Sequence, residues 1–467
     1  MILYSINYCQ MYPRVFIAGV RGGAGKTTVA LSVIDLLTKK GLNVVAFKKG
    51  PDYIDSGWLS LFSKNPCYNL DTFMIPRQKV IQSFLERARG DIAVIEGNRG
   101  LYDGLDAEGS VSSAELAKLL GCPVILVVDC TKMTRSVAAL INGFTDFDRE
   151  VNIKAVVLNQ IANSRHEKII TESIKRYCKV EIVGSIPRFK DIKMPERHMG
   201  LLPYQEHEET EQARHFIEKA SKYIDGEKII KIAKEANSLY ASNIESSSCL
   251  DGKGLKIGVI RDRVFQFYYE ENLEEIKKTG ASVVFIDSLQ DKTLPDIDAL
   301  YIGGGFPETN VKYLIKNSSL MNQIKQKAEE GLPIYAECGG LMYLCKTLIT
   351  QEGSFPMIGI FPLTLCMYKK PQAHGYVVAR VDESNPFYEK GLEIRGHEFH
   401  YSKVIEYDKL PCFCFKMDRG EGIIDSRDGA LYKNTLGTYV HVHALGCMEW
   451  LKGILRVAKI YKENKNA

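Results

Sequence analysis

Three stretches of this 467-residue chain carry residue types at spacings that suit chemistry. The first runs from Gly19 to Thr28, GVRGGAGKTT. Gly19, Gly22, Gly23 and Gly25 let backbone N–H groups approach a phosphate, and a helix N-terminus there favours negative charge. Lys26 is placed to reach the β- and γ-phosphates of ATP, the Thr27 hydroxyl suits Mg²⁺, and Thr28 completes the loop. The second stretch is a pair of acidic clusters, GPDYID (Gly50–Asp55) and EGNRGLYDG (Glu96–Gly104). Asp52, Asp55, Glu96 and Asp103 beside a nucleotide loop fit metal and substrate handling: carboxylates hold Mg²⁺, with Thr27, Asp55 and Glu96 as its ligands, while lysine offsets developing charge. Carboxylates also cap helices and make turns, which is enough for Asp71. The third is PIYAECGGL (Pro333–Leu341), an apolar strand running into Cys338 and two glycines. A lone cysteine at a strand end is more often core. Here a sharp turn would expose Cys338, and Gly304, Gly305 and Gly339 would offer N–H groups to an oxyanion. Histidines in TYVHVH (Thr438–His443) are available as the base.

The elements that must hold these groups follow from periodicity. Val15–Val20, Asn43–Phe47, Ile92–Glu96, Val124–Asp129 and Ala155–Leu158 read as buried strands. Thr28–Lys39, Pro76–Arg89 and Ser112–Leu120 read as helices between them, which predicts a parallel sheet covered on both faces. Both acidic clusters then fall at carboxyl ends of strands, where open parallel sheets bind ligands. A polar helical region spans Tyr204–Leu239, and the Ser/Gly/Asn-rich segment 241–254 reads as a linker. A second alternation follows, with strands at Lys256–Ile260, Ser282–Ile286, Ala299–Ile302 and Pro333–Ala336, helices at Glu270–Lys278 and Met321–Glu330, and β-rich sequence from Gly375 to Val442. The expected organisation is α/β in two domains, 14–240 and 255–460, joined by that linker.

Composition excludes several classes. Hydrophobic residues are 45%, charged residues 25% and the net charge is +4, so neither nucleic acid nor an anionic membrane is suggested as a partner. The N-terminal segment lacks the apolar run of a signal peptide, and no stretch approaches a membrane span. The twelve cysteines are scattered, and Cys412 with Cys414 lacks zinc-ribbon or redox spacing. Free thiols in a reducing cytoplasm are the expectation. His397 and His400 in GHEFHYS invite a metal reading, ranked below a structural role.

GPDYID, EGNRGLYDG and PERHMGL (Pro195–Leu201) together resemble the cobyrinate a,c-diamide synthases. The resemblance runs from about Arg14 to Val457 and includes the sirohaem- and nickel-sirohydrochlorin-amidating relatives. It implies an N-terminal phosphate-loop domain of the dethiobiotin-synthetase kind, whose variant loops also place a glycine where Gly19 stands. It implies as well a C-terminal class I glutamine amidotransferase domain. It carries Asp52, Tyr53, Ile54, Asp55, Glu96 and Asp103 onto positions linked to catalysis and substrate handling. Asn159 matches an adenine-reading asparagine. Arg197 and His198 would meet tetrapyrrole carboxylates, and His198 equally suits a satisfied loop histidine. Cys338 is implied as the nucleophile and His441 as its base. The glutamate usual two residues after that histidine is absent, because His443 stands there.

The implied reaction uses L-glutamine, ATP with Mg²⁺ and a tetrapyrrole carboxylate. Cobyrinate is the first expectation, with sirohaem or nickel-sirohydrochlorin as the alternative. The string RGGAGKT with FKKGPDYIDSGW looks somewhat like the sirohaem-amidating relatives. A reading of another class comes from the same loop, which is similar to the KGGxGKT loop of partitioning ATPases. Arg21 would then act across a dimer in a nucleotide-switched binding module, leaving Cys338 and His441 without purpose. A homodimer is a fold-level analogy.

Overall fold

The computed structural model describes residues 12–189, 196–197, 200–201, 204, 210–240 and 250–466. Two compact units divide the chain, one of residues 1–72 and 76–244, the other of 73–75 and 245–467.

The first unit is built on seven strands: β1 (Arg14–Gly19), β2 (Val44–Lys49), β3 (Tyr68–Leu70), β4 (Ile92–Glu96), β5 (Val124–Asp129), β6 (Ile153–Ile161) and β7 (Glu181–Pro187). They lie in the order β3-β2-β4-β1-β5-β6-β7, and every neighbouring pair is parallel. Every residue of β1, β2 and β4 is buried, as expected of a sheet covered on both faces. Helices α1 (Lys26–Lys39), α2 (Ile54–Ser63), α3 (Arg77–Arg87), α4 (Ser113–Leu119), α5 (Ser136–Phe147) and α6 (Ser164–Tyr177) alternate with the strands. Val15, Ile17, Val29, Ile34, Val94 and Val127 belong to one apolar core between α1 and the sheet. Helix α4 begins where Ser112 Oγ accepts from the Glu115 N–H at 3.3 Å, half of a capping box. Strands β3 and β7 lie outside the apolar runs of the sequence. β3 is three residues long, and β7 carries polar residues in EIVGSIP, so neither gives a strong apolar run.

The first unit's register sets the chemistry. Lys48 pairs with Glu96 across β2 and β4, and Ile17 of β1 pairs with the same Glu96. The ends of the three adjacent strands therefore converge on one carboxylate.

The second unit has a ten-stranded mixed sheet. Its parallel half is ordered Ser282–Ile286, Lys256–Ile260, Ala299–Ile302, Ile334–Glu337 and Thr435–Thr438. Antiparallel strands Arg427–Tyr432, Cys412–Arg419, Ala373–Val381, Glu393–His400 and His441–Val442 continue it. A four-stranded sheet of Gly353–Pro356, Cys345–Thr350, Phe361–Met367 and Ser402–Tyr407 lies beside a core that includes Leu341, Leu348, Phe361 and Leu363. A second core gathers Tyr301, Tyr335, Phe387 and Trp450. Among the described residues no helix is long and apolar enough to cross a membrane.

Candidate active site

At the end of β1 the loop turns through Gly23 and Gly25 at φ +73° and +97° before α1 begins at Lys26. No side chain caps α1, so its first N–H groups remain for a phosphate. A Cβ on Gly25 would overlap Asn159 Nδ2, and one on Gly19 would crowd the Lys26 stem at 3.0 Å. A Cβ on Gly22 would meet nothing within 4 Å. Asn159 is 5% exposed, donates from Nδ2 to Ala24 O at 2.9 Å and accepts the Gln160 N–H at Oδ1. This asparagine thus braces the phosphate loop, whatever else it reads. Arg21 is exposed and donates to Asp129 Oδ2 at 2.6 Å within the same unit.

The acidic clusters meet around a residue that the motifs did not single out. Lys48 is 1% exposed, and its Nζ lies 2.6 Å from Asp55 Oδ2, 3.3 Å from Glu96 Oε1 and 3.9 Å from Asp52 Oδ2. Burial disfavours its charge, but Asp55, Glu96 and Asp52 outweigh that and hold its pKa above the ordinary lysine value. Burial likewise disfavours ionised Asp55, yet Lys48 keeps it below the usual carboxylate range. Burial and the Asp55 charge push Asp52 up to about 7. Glu96 is raised chiefly by burial. Lys26 is depressed by burial and then by the neighbouring Lys48 charge. The lysine pair at the end of an otherwise apolar strand was the available sequence signal. Strands buried on both faces seldom end in charge without a partner.

Thr27 Oγ1 donates to Glu96 Oε1 at 2.6 Å, and Glu96 Oε2 is buried without a hydrogen-bond partner among the described residues. Among those residues no group of three or more His, Cys, Asp or Glu is disposed to hold a metal; Lys48 occupies the middle of the acids. The Thr27 hydroxyl and the unmatched Glu96 oxygen fit a Mg²⁺ that takes its remaining ligands from phosphate and water. Asp55 is instead turned to Lys48. Asp103 is exposed and accepts the Gly100 N–H at 2.8 Å. Tyr53 and Ile54 open α2, where Asp52 Oδ1 accepts the Asp55 N–H. Arg197 lies in a two-residue strand paired with Gly200–Leu201, and His198 lies outside the described residues.

In the second unit the strand Ile334–Glu337 ends at Cys338, whose φ of +49° and ψ of −101° a non-glycine residue seldom adopts. A strained strand-to-helix turn of this kind is the geometry that a nucleophile elbow requires, and the helix Gly339–Leu344 follows at once. The thiol donates to Phe399 O at 3.7 Å, and the Cys338 N–H donates to Thr438 O at 2.7 Å. Burial pushes the thiol pKa up, with Glu308 adding to it. The thiol therefore needs a base or a bound substrate to ionise. A Cβ on Gly339 would sit 2.9 Å from Gly305 N, and one on Gly304 would sit 2.7 Å from His441 Cε1. Gly304 and Gly305 thus lie against both the nucleophile turn and His441.

His441 is 2% exposed, and its Nδ1 lies 3.2 Å from Glu337 Oε2. The His397 ring stacks on it at 4.7 Å, and the Tyr269 hydroxyl lies 3.1 Å from His397 Nδ1. Burial and then His441 hold His397 well below the ordinary histidine pKa, so it stays neutral. His443 lies elsewhere: its Nε2 is 3.7 Å from Glu271 Oε2, and its Nδ1 accepts the Leu445 N–H. His400 is tied to Ser402 O and stacks on Tyr439 at 3.6 Å.

Comparison with known proteins agrees with this division. Residues 15–202 match the CobQ/CobB/MinD/ParA nucleotide binding domain, and residues 256–447 match the CobB/CobQ-like glutamine amidotransferase domain. The two together define a glutamine-hydrolysing ligase with its own nucleotide site. The cobyrinate a,c-diamide synthase of Archaeoglobus fulgidus is 44% identical over 93% of this chain and 94% of its own. That of Magnetococcus marinus is 40% identical over 95% and 97%. The chain belongs to the cobyrinate a,c-diamide synthase family. Among solved structures, PurLQS from Thermotoga maritima matches over 44% of this chain and 99% of its own at 18% identity and a TM-score of 0.35.

Proposed function

We propose that this chain converts cobyrinate carboxylates into carboxamides, using ATP for activation and glutamine as the nitrogen source. The observation that carries the substrate is identity of 44% over 93% of the chain with a cobyrinate a,c-diamide synthase. The residue geometry supports the chemistry at both sites.

In the second unit His441 takes the Cys338 proton, and the thiolate adds to the glutamine carboxamide carbon. The backbone N–H groups of Gly305 and Gly339 are assigned to the developing oxyanion, and the lack of a Cβ on Gly304 leaves room for the imidazole. The proton returns to the departing nitrogen, which leaves as ammonia, and water hydrolyses the thioester to glutamate. In the first unit the loop amides, Lys26 and Thr28 hold the triphosphate. Lys48, fixed by Asp55 and Glu96, supplies a second positive charge beside the transferred phosphoryl group. Mg²⁺, held by Thr27 and Glu96, would screen phosphate charge. A carboxylate of the corrinoid attacks the γ-phosphorus and ADP leaves. Ammonia then displaces phosphate from the acyl phosphate, giving the amide. Activation is needed because oxide is a poor leaving group. Tyr53, Ile54 and Asp52, at the start of α2, are assigned to the acceptor carboxylate.

The test is mass spectrometry of purified chain with ATP, Mg²⁺ and glutamine, offered cobyrinate, sirohaem and nickel-sirohydrochlorin separately. A loss of about one mass unit per amide formed, on cobyrinate alone, is the expected result. Amidation of sirohaem alone would overturn the substrate. Cys338→Ser should abolish glutamine-driven amidation yet leave ammonia-driven amidation intact. Loss of both in folded protein would refute the division of labour.

A further inference from the structure

The second unit has a nucleophile and a base, but position 443, where related glutaminases carry a carboxylate, holds a histidine turned to Glu271. A buried imidazole that must accept a proton at Nε2 needs its Nδ1–H held by an acceptor. The structure supplies one from an unexpected place in the chain. We propose that Glu337, the residue immediately before the nucleophile, is the positioning residue of His441 and replaces the missing third member. This rests on the reading of Cys338 and His441 as a glutaminase pair.

Four observations carry it. Glu337 and His441 side chains are 1% and 2% exposed, with Oε2 3.2 Å from Nδ1. Such a buried carboxylate needs partners on both oxygens, and it has them. Tyr301 Oη donates to Oε2 at 3.2 Å, and the Val442 N–H lies 3.4 Å from Oε1. The Val442 bond ties the carboxylate to the residue following the histidine, so acceptor and imidazole keep one register. Glu337 pairs with Thr438 across parallel strands, and the Cys338 N–H donates to Thr438 O at 2.7 Å. One strand end therefore delivers the nucleophile on one residue and the histidine's anchor on the preceding one.

With Nδ1–H donated to Glu337, the bare Nε2 is the tautomer able to take the Cys338 proton. The carboxylate also stabilises the imidazolium once that proton has arrived. His397, neutral and stacked on His441, fixes the ring plane but brings no negative charge. It cannot substitute for the carboxylate.

The experiment measures glutamine hydrolysis by the full chain against pH, with iodoacetamide alkylation of Cys338 as a second readout. The wild type, Cys338→Ser and His441→Ala come first. Activity that survives Cys338→Ser or His441→Ala sinks the glutaminase reading itself, independently of Glu337. Given a Cys338- and His441-dependent wild type, Glu337→Gln should lower kcat by about a hundredfold or more with KM for glutamine within a few-fold, as for loss of a triad carboxylate. The acid limb of kcat/KM should move to lower pH, because the imidazolium loses its anionic neighbour. Glu337→Asp should recover at least tenfold of that loss. Ammonia-driven amidation should be unchanged in both. Unchanged kcat and an unmoved acid limb in Glu337→Gln would overturn the assignment. If Glu337→Gln does not fold, Tyr301→Phe, which removes one bond to the same carboxylate, decides. Because the carboxylate keeps its charge and loses a donor, a several-fold change in kcat with the acid limb moved the opposite way, to higher pH, upholds the role, and an unmoved profile overturns it.

Discussion

Lys48 shows how a single buried charge organises a site. Three carboxylates within 4 Å would repel one another in a low-dielectric strand end, and one ammonium with 1% exposure holds them. The carboxylates are not equivalent. Asp55 takes the close ion pair and is held ionised, while Asp52, 3.9 Å from Nζ and beside Asp55, is raised to about 7. A carboxyl raised on folding makes the native state less stable as pH climbs from its unfolded value, about 4, towards its folded one. Asp52→Asn keeps the cap on the Asp55 N–H and removes that titration. Denaturant unfolding of the ligand-free chain should show the variant gaining stability over wild type between about pH 4 and about pH 7. A difference constant across that range would mean that Asp52 does not titrate there.

At the scale of an element, the phosphate loop works because its glycines are not interchangeable. Gly25 sits at φ +97° with Asn159 Nδ2 where a Cβ would stand, whereas Gly22 has open space around it. Gly25→Ala should cost about 1–3 kcal/mol of stability, from backbone strain and a displaced Asn159. It should also raise the KM for ATP, since Asn159 holds the Ala24 carbonyl. Gly22→Ala should change stability by less than about 1 kcal/mol. Urea unfolding and an ATP titration on both variants check the contrast, and equal effects would dismiss the Asn159 contact as a constraint. The nucleophile turn obeys the same logic. Cys338 at φ +49° holds its conformation because Gly339 and Gly340 let the turn lie against Gly305 and the Ile302 carbonyl.

On the scale of the whole molecule, each unit has its own apolar core and its own chemical centre. A ligand that binds only the native state stabilises it by about 2.7 kcal/mol at a hundredfold excess over Kd. MgATP should therefore raise the melting temperature of the full chain, and Lys26→Ala should abolish the rise. Cys338→Ser should leave it intact. Calorimetry of the three proteins tests this, and a nucleotide shift lost in Cys338→Ser would mean that the thiol takes part in ATP binding.

The glycine loop, the two acidic clusters and the cysteine turn were legible as sequence because each is a local string whose chemistry depends on neighbours a few residues away. The alternating apolar runs likewise determined a parallel α/β first unit, since a strand buried on both faces has little choice of composition. Lys48 and Glu337 were hidden for the opposite reason. Each sits at the charged end of an apolar strand, and its meaning lies in partners 48 and 104 positions away in the chain. Only the register of β2 on β4 puts an ammonium beside Glu96, and only the pairing of Ile334–Glu337 with Thr435–Thr438 brings a carboxylate to His441. The sequence by itself thus determined which reactive groups this protein carries. The tertiary structure decided which charges neutralise and orient them, because burial makes an ion's partner obligatory while leaving that partner's place in the chain free.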